Sequence, residues 1–290
     1  MSDQTINTQS SLPILMPRRA DSHKGDYGRA LLVGGSRGMS GAISLAGMGC
    51  LRSGAGLVTL AVPEVCLDTV AQFEPSYMTT PLSCDGGGRL NVAAQERLAE
   101  LADAATCVAC GPGLGRTRQL ADLVVWMYEV LPQPIVFDAD ALYALAQRSD
   151  RLNEAAGPRI LTPHLGELKR MLAVSEINQQ EAELRAAQWA AHHHAVVVLK
   201  GHATVVTDGL RSTHNATGNP GMATGGTGDV LTGVITALIC QGMNPFDAAR
   251  LGVMIHGSAG DKAADELGQV SLIASDIVRF LPAAFKEMEG

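Results

Sequence analysis

The strongest chemical signal in the chain is the run at 219–233, Asn-Pro-Gly-Met-Ala-Thr-Gly-Gly-Thr-Gly-Asp-Val-Leu-Thr-Gly. A loop of small residues leads straight into an apolar stretch that predicts a helix over 229–241. The first amides of a helix have no partner inside it and point at whatever lies in front. The helix dipole adds roughly half a positive charge at that end. Gly225, Gly226, Thr227 and Gly228 are therefore candidates for an anion hole that holds a phosphoryl group. Asp229 follows directly. Its carboxylate only accepts, so beside a bound phosphoryl group it is a candidate general base. A lone aspartate there would read as a favourable first-turn charge; the preceding Gly-Gly-Thr-Gly shifts the reading to catalysis.

Two further glycine-rich segments follow strand-like stretches. Residues 34–42 read Gly-Gly-Ser-Arg-Gly-Met-Ser-Gly-Ala, and residues 111–115 read Gly-Pro-Gly-Leu-Gly. The first is neither G-x-G-x-x-G nor a Walker A loop. Either segment serves as a tight turn or as a place where backbone approaches a ligand. Lys200 ends a strand, where a cation can meet phosphates or simply stay solvated. His164 follows Pro163 and either caps the next helix or faces a ligand. Asp138 and Asp140 end another strand, and the pair holds Mg²⁺, directly or through water, or caps the helix that follows.

Other patterns promise less. Cys107 and Cys110 form a C-x-x-C inside a strand, where residues three apart face opposite sides, so both read as core cysteines. His192, His193 and His194 point in different directions at a helix end. The Asp85-Gly86-Gly87-Gly88 loop reads as a surface turn.

The elements that must position these residues alternate. Strands are expected at 29–33, 57–62, 106–110, 135–138, 159–161, 195–200 and 204–207, the last forming a hairpin with 211–214 through Asp208-Gly209. Helices are expected at 41–53, 118–130, 141–147, 165–172, 180–193, 229–241, 245–266 and 274–287. This alternation predicts an α/β fold with a mostly parallel sheet and helices on both faces. Ligands of such sheets bind beyond the carboxyl ends of the strands, where the glycine-rich segments lie. A lead-in at 1–22, expected to be flexible, precedes a single domain at 23–290.

Composition narrows the function classes. A net charge of -7 over 290 residues argues against broad nucleic-acid binding. No signal peptide is recognisable, and no uninterrupted apolar run approaches the ~18 residues that a membrane span needs. A cytoplasmic protein with no membrane partner is expected. The six cysteines show no disulfide framework.

Taken in order, Lys24–Arg29, Gly34–Ala42, Gly111–Gly115, Asp138–Leu142, Leu161–Glu167, Lys200–Thr204 and Asn219–Gly233 resemble the ADP/ATP-dependent NAD(P)H-hydrate dehydratases of the ribokinase-like superfamily. The resemblance spans about residue 22 to the C-terminus. It implies a ribokinase-like three-layer α/β/α fold. It implies a hydro-lyase that uses ADP or ATP, with Mg²⁺, to dehydrate the S form of hydrated NADH or NADPH (NADHX, NADPHX) in metabolite repair. By resemblance Asp229 is catalytic, and Ala42, Gly113, His164 and Asp229 contact the hydrated nicotinamide nucleotide. Lys200, Gly201, His202, Ala203, Thr204 and Gly228 contact the adenine nucleotide. A homo-oligomer, specifically a tetramer, and an NAD(P)H-hydrate epimerase as functional partner are also implied. Three alternatives stand beside it: a small-molecule kinase like hydroxyethylthiazole kinase, a non-catalytic nucleotide sensor, and a hydride-transferring dehydrogenase. The first would share the Gly225–Asp229 apparatus, the second would not need Asp229, and the missing G-x-G-x-x-G counts against the third.

Overall fold

A computed structural model describes residues 13–148, 152 and 154–288. Nine strands form one sheet in the order β3-β2-β1-β4-β5-β6-β7-β8-β9. They are β1 (Arg29–Val33), β2 (Leu57–Pro63), β3 (Met78–Leu82), β4 (Cys107–Cys110), β5 (Ile135–Phe137), β6 (Arg159–Leu161), β7 (Val196–Leu199), β8 (Val205–Thr207) and β9 (Ser212–His214). Pairing is parallel from β3 through β7, and β8 and β9 close that edge as the expected antiparallel hairpin. The inner strands are apolar almost throughout, as a sheet covered on both faces requires.

Successive residues of each strand feed two cores. Leu32, Ala109 and Val136 face one side, with Ile43, Val230, Ile235 and Ile255. Leu31, Val108 and Phe137 face the other, with Leu98, Leu120 and Leu142. The first layer contains α1 (Ser40–Arg52), α8 (Thr227–Cys240), α9 (Pro245–Leu267) and α10 (Ala274–Lys286). The second contains α3 (Gln95–Asp103), α4 (Arg118–Val130), α5 (Ala139–Ala146), α6 (Leu165–Met171) and α7 (Gln179–His193). A short α2 (Leu67–Ala71) links β2 to β3. The three-layer α/β/α architecture is as expected. Cys107 and Cys110 fall in opposite cores, and all six cysteines are free thiols. No described helix is long and apolar enough to cross a membrane.

One strand and two α-helices among the described residues were not expected from the sequence. Strand β3 lies at the sheet edge and carries Pro81, which weakens its strand pattern. Helix α3 buries only Leu98 and Ala102, so its apolar stripe is short. Helix α2 is a five-residue turn. Residues 1–12 of the expected lead-in lie outside the described residues. The remainder touches the body, where Arg18 donates to the Gly54 carbonyl at 2.7 Å and stacks on Tyr27.

Two features of this scaffold bear on the site. Strand β1 lies between β2 and β4, so the chain reverses its direction of travel across the sheet there. That reversal opens a crevice at the carboxyl ends of β1 and β4. Helix α8, which carries the 225–229 segment at its start, lies tightly on α1. A Cβ on Gly233 would overlap the Ala46 carbonyl, and one on Gly49 would come within 2.7 Å of the Val230 oxygen. Gly233, the last residue of the motif, therefore packs helix on helix.

Candidate active site

The segments that follow β1, β4, β5, β6 and β7 all emerge at one end of the parallel sheet. The loops after β1 and β4 are bonded to each other. Gly35 N donates to the Pro112 carbonyl at 2.8 Å, and Ser36 Oγ to the Gly113 carbonyl at 2.8 Å. Gly113 has φ +63°, and a Cβ there would come within 3.1 Å of the Ala42 Cβ. The fold thus brings Ala42 and Gly113 side by side, as two walls of one crevice must be.

The segment after β5 turns sharply. Ala139 takes φ +49°, a conformation that costs a non-glycine residue of order 1–3 kcal/mol. The turn sends the two aspartates to different tasks. Asp138 is 1% exposed and accepts from Lys200 Nζ at 2.7 Å and from Thr232 Oγ1 at 2.8 Å. Asp140 accepts from Gly115 N at 2.9 Å and from Arg116 Nε at 2.7 Å, which ties the β4 loop to α5. Neither carboxylate caps the helix through its side chain in the way the sequence allowed.

His164 does cap a helix. Its Nδ1 accepts from Gly166 N at 2.9 Å, and Glu167 Oε2 accepts in return from His164 N at 2.9 Å. The rest of its ring remains exposed, on the wall of a cavity. Glu167 also approaches Lys200, its Oε2 lying 4.0 Å from Nζ. Burial alone would lower the Lys200 pKa, but Asp138 and Glu167 outweigh it and hold the ammonium above its usual range.

Helix α8 enters over this cluster. Gly226 is its N-cap at φ +94°, so Thr227, Gly228 and Asp229 are its first three residues. A Cβ on Gly228 would stand 3.2 Å from Lys200 Nζ and 3.7 Å from Asp138 Oδ2. The bare backbone of α8 therefore meets the Asp138–Lys200 pair directly. Burial, and then the negative charge of Asp138, push the Asp229 carboxyl up to about 7, with Lys200 pulling partly the other way. Asp140 and Glu167 add to the upward push.

A cavity of about 770 Å³ lies against this cluster, within the range of a small-molecule site. Lys200, Gly201, His202, Thr204, Gly225 and Gly228 line it together with His164, and the 215–224 loop and α9 close its far side. Ala203 and Gly226 are not on its wall, and neither are Ala42, Gly113 and Asp229. Residues expected to contact the adenine nucleotide thus gather mostly around the cavity, and Ala42 and Gly113 around the β1–β4 crevice. His256 of α9, which no local pattern marks, also lines the cavity. Its Nε2 bonds to the Thr227 carbonyl at 2.9 Å, and burial lowers its pKa to about 4, so it is neutral at ordinary pH.

A branched side chain at position 228 would displace Lys200 and fill the approach to the α8 amides. Gly228→Val is expected to lower turnover far more than melting temperature; an unchanged rate in the folded variant would remove the anion hole from consideration.

The comparisons place the chain in a family. The family model described as NAD(P)H-hydrate dehydratase matches residues 30–283. A bifunctional NAD(P)H-hydrate repair enzyme of Moorella thermoacetica is 45% identical over 278 residues, which cover 94% of this chain and 52% of the relative. The chain therefore spans about half the length of such bifunctional relatives. An ADP-dependent (S)-NAD(P)H-hydrate dehydratase of Bacillus subtilis is 37% identical over 287 residues, 97% of this chain and 98% of the relative. A crystal structure of the ADP/ATP-dependent NAD(P)H-hydrate dehydratase of Bacillus subtilis, co-crystallised with ATP and Mg²⁺, superposes with TM-score 0.81 at 33% identity, covering 95% of each chain. The fold is ribokinase-like, and with its family model matched from β1 into α10 the chain belongs to the NAD(P)H-hydrate dehydratase family.

Proposed function

We propose that the chain dehydrates the S forms of NADHX and NADPHX at the expense of ADP or ATP, yielding NADH or NADPH, phosphate, and AMP or ADP. One observation carries this reading. A carboxylate with its pKa raised to about 7 stands in the first turn of α8, directly after Gly228, which lines a cavity of about 770 Å³ and meets the Asp138–Lys200 pair. Family membership, and the name of the relative matched over nearly its whole length, support the choice of substrate.

Hydroxide is a poor leaving group, so the ring hydroxyl is phosphorylated first. Asp229 takes the hydroxyl proton as the oxygen attacks the terminal phosphorus of the nucleotide. The free amides at the start of α8 stabilise the charge on the transferring group. The lone pair of the ring nitrogen then expels phosphate, and loss of a ring proton restores the double bond. The residues present fit Mg²⁺ only as a partner of the nucleotide. Among the described residues no three potential ligand side chains converge, and the oxygens of Asp138 and Asp140 are already engaged. Bound through phosphate and water, the ion would neutralise phosphate charge.

Residues 23–290 would work as one domain. An epimerase acting on the R forms would complete the repair, as the bifunctional name of the longer relatives suggests. A homo-oligomer is part of the same reading, and light scattering tests it.

The assay is recovery of absorbance near 340 nm from NADH hydrate, with ADP and ATP added in turn. Accumulation of a phosphorylated product in place of free phosphate would identify a kinase. The pH profile gives a second check. The base works only unprotonated, so kcat/KM is expected to rise as pH passes through about 7 and then level off. Lys200→Met removes the cation that lowers the Asp229 pKa, so the rise is expected to move to higher pH. A profile flat from pH 5.5 to 8.5 would exclude Asp229 as the base.

A further inference from the structure

Helix α9 touches the wall of the cavity at both ends of one loop, and the mechanism above makes no use of it. Thr217 Oγ1 donates to the Met254 carbonyl at 2.9 Å. Asp261 receives two bonds, from Gly218 N to Oδ2 at 2.8 Å and from Asn219 Nδ2 to Oδ1 at 2.9 Å. Asn219 in turn accepts from Gly221 N at 3.0 Å, which shapes the turn beyond it. At the other end His256 Nε2 bonds to the carbonyl of Thr227, the first residue of α8. Between these ties the helix presents two glycines. A Cβ on Gly257 would overlap Thr217 Oγ1, and one on Gly260 would overlap Met222 Sδ.

The loop from 217 to 227 is therefore held at both ends by one rigid helix, while Ala223 and Gly225 between them stay exposed. Such a loop is worth fixing. It carries Gly225 and ends in the free amides of α8, and much of it forms the cavity wall. The Nε2–H that His256 offers Thr227 fixes the carbonyl of the peptide whose nitrogen belongs to Gly228. That peptide plane also aims the amide at the anion site.

We propose that His256 and Asp261 are positioning residues for the phosphoryl-transfer site: Asp261 fixes the wall that receives the nucleotide, and His256 fixes the peptide that faces the transferring group. This rests on the nucleotide-dependent reading of the cavity, but part of its test does not.

The first measurement is amide hydrogen exchange over 218–228 in the ligand-free protein. Asp261→Ala and His256→Leu are expected to speed exchange at their own ends of the loop. The second is calorimetric titration with ADP and Mg²⁺. Asp261→Ala is expected to weaken ADP about tenfold or more, through two lost hydrogen bonds to a charged group. His256→Leu is expected to change ADP affinity less than threefold, yet to lower kcat on NADH hydrate about 10- to 100-fold, the order expected of an ångström-scale misplacement. In His256→Gln an amide N–H stands in for the imidazole donor, and most of kcat should return. Exchange and ADP affinity unaltered in both variants would overturn the proposal. So would a glutamine variant, folded, as slow as the leucine one. A wild-type protein that binds ADP but leaves NADH hydrate untouched would sink the dehydratase reading and leave the exchange and affinity arms to decide this one.

Discussion

Asp229→Asn is expected to lower the dehydration rate about 10²–10⁴-fold, the usual contribution of general base catalysis, while the melting temperature above neutral pH stays level or rises. The rate loss follows because an amide takes no proton from the substrate hydroxyl. The stability effect follows from the sign of the pKa shift. The Asp229 carboxyl moves from 3.8 to about 7 on folding, so the folded chain holds its proton more tightly than the unfolded chain does. Ionising it then costs stability. That cost is absent below about pH 4, grows as the pH rises, and is complete above about pH 7. Asparagine carries no such cost. It does lose a favourable first-turn charge, worth only ~0.3–1 kcal/mol. The difference in melting temperature between variant and wild type should therefore grow in the variant's favour between pH 5 and pH 8. A residue kept against stability is one that chemistry requires. The measurement is a steady-state rate on NADH hydrate beside melts of the same preparations across that range. A rate loss below tenfold, with a variant that melts lower at pH 8, would return Asp229 to the role of helix-start charge.

The parts of this molecule that could be read in advance are those whose cause is local. The hairpin at β8 and β9 follows from Asp208-Gly209, and the start of α4 from Thr117, whose hydroxyl accepts from Leu120 N. The loop that carries the candidate anion hole was legible because a run of small residues stands directly before an apolar helix. The start of that helix was expected at 229 and is found at Thr227, because Gly226 at φ +94° turns the chain two residues earlier than the composition suggests. What escaped is long-range. Lys200 reads from sequence as a cation that meets phosphates or stays solvated, and nothing local shows that its ammonium is held by Asp138, 62 residues away in the chain. Thr232 reaches the same carboxylate from 94 residues away. His256 lies within an apolar helical pattern that gives no hint of its bond to Thr227, 29 residues earlier in the chain. The loop at 85–88 read as a plain surface turn, yet the Gly88 carbonyl accepts from Arg37 N at 3.2 Å and the Arg89 side chain lies over Gly115. Periodicity places an element and its faces, but the partner across the sheet is set only by topology.

Arg159→Leu is expected to destabilise the fold by about 3–5 kcal/mol, from several buried carbonyls left without a donor, without altering the chemistry of the molecules that remain folded. Arg159 opens β6 and is 1% exposed. Its guanidinium donates to the carbonyls of Tyr128, Gln133 and Pro158 at 2.7–3.0 Å, and also to that of Leu131. Tyr128 belongs to the last turn of α4, whose final carbonyls lack partners within the helix and carry the negative end of its dipole. One side chain thus serves as the C-terminal cap of α4, from a strand that pairs with β5. Burial lowers its pKa only to about 10, so the group stays charged at neutral pH and every donor remains in use. Leucine fills much of the volume but leaves several buried carbonyls without a donor, each costing ~1–3 kcal/mol where water cannot reach. Lysine is not expected to rescue it, because a single ammonium cannot reproduce the planar fork that spans these oxygens. Arg159 lies at the amino end of β6 and His164 follows its carboxyl end, so the site lies across the sheet from the change. Denaturant unfolding should show the midpoint fall, while kcat and KM measured well below the new midpoint stay within about twofold of wild type. A loss under 1 kcal/mol would mean that water enters and takes over the carbonyls, and the α4 terminus would then be less tightly sealed than its packing against Leu131 and Tyr128 implies.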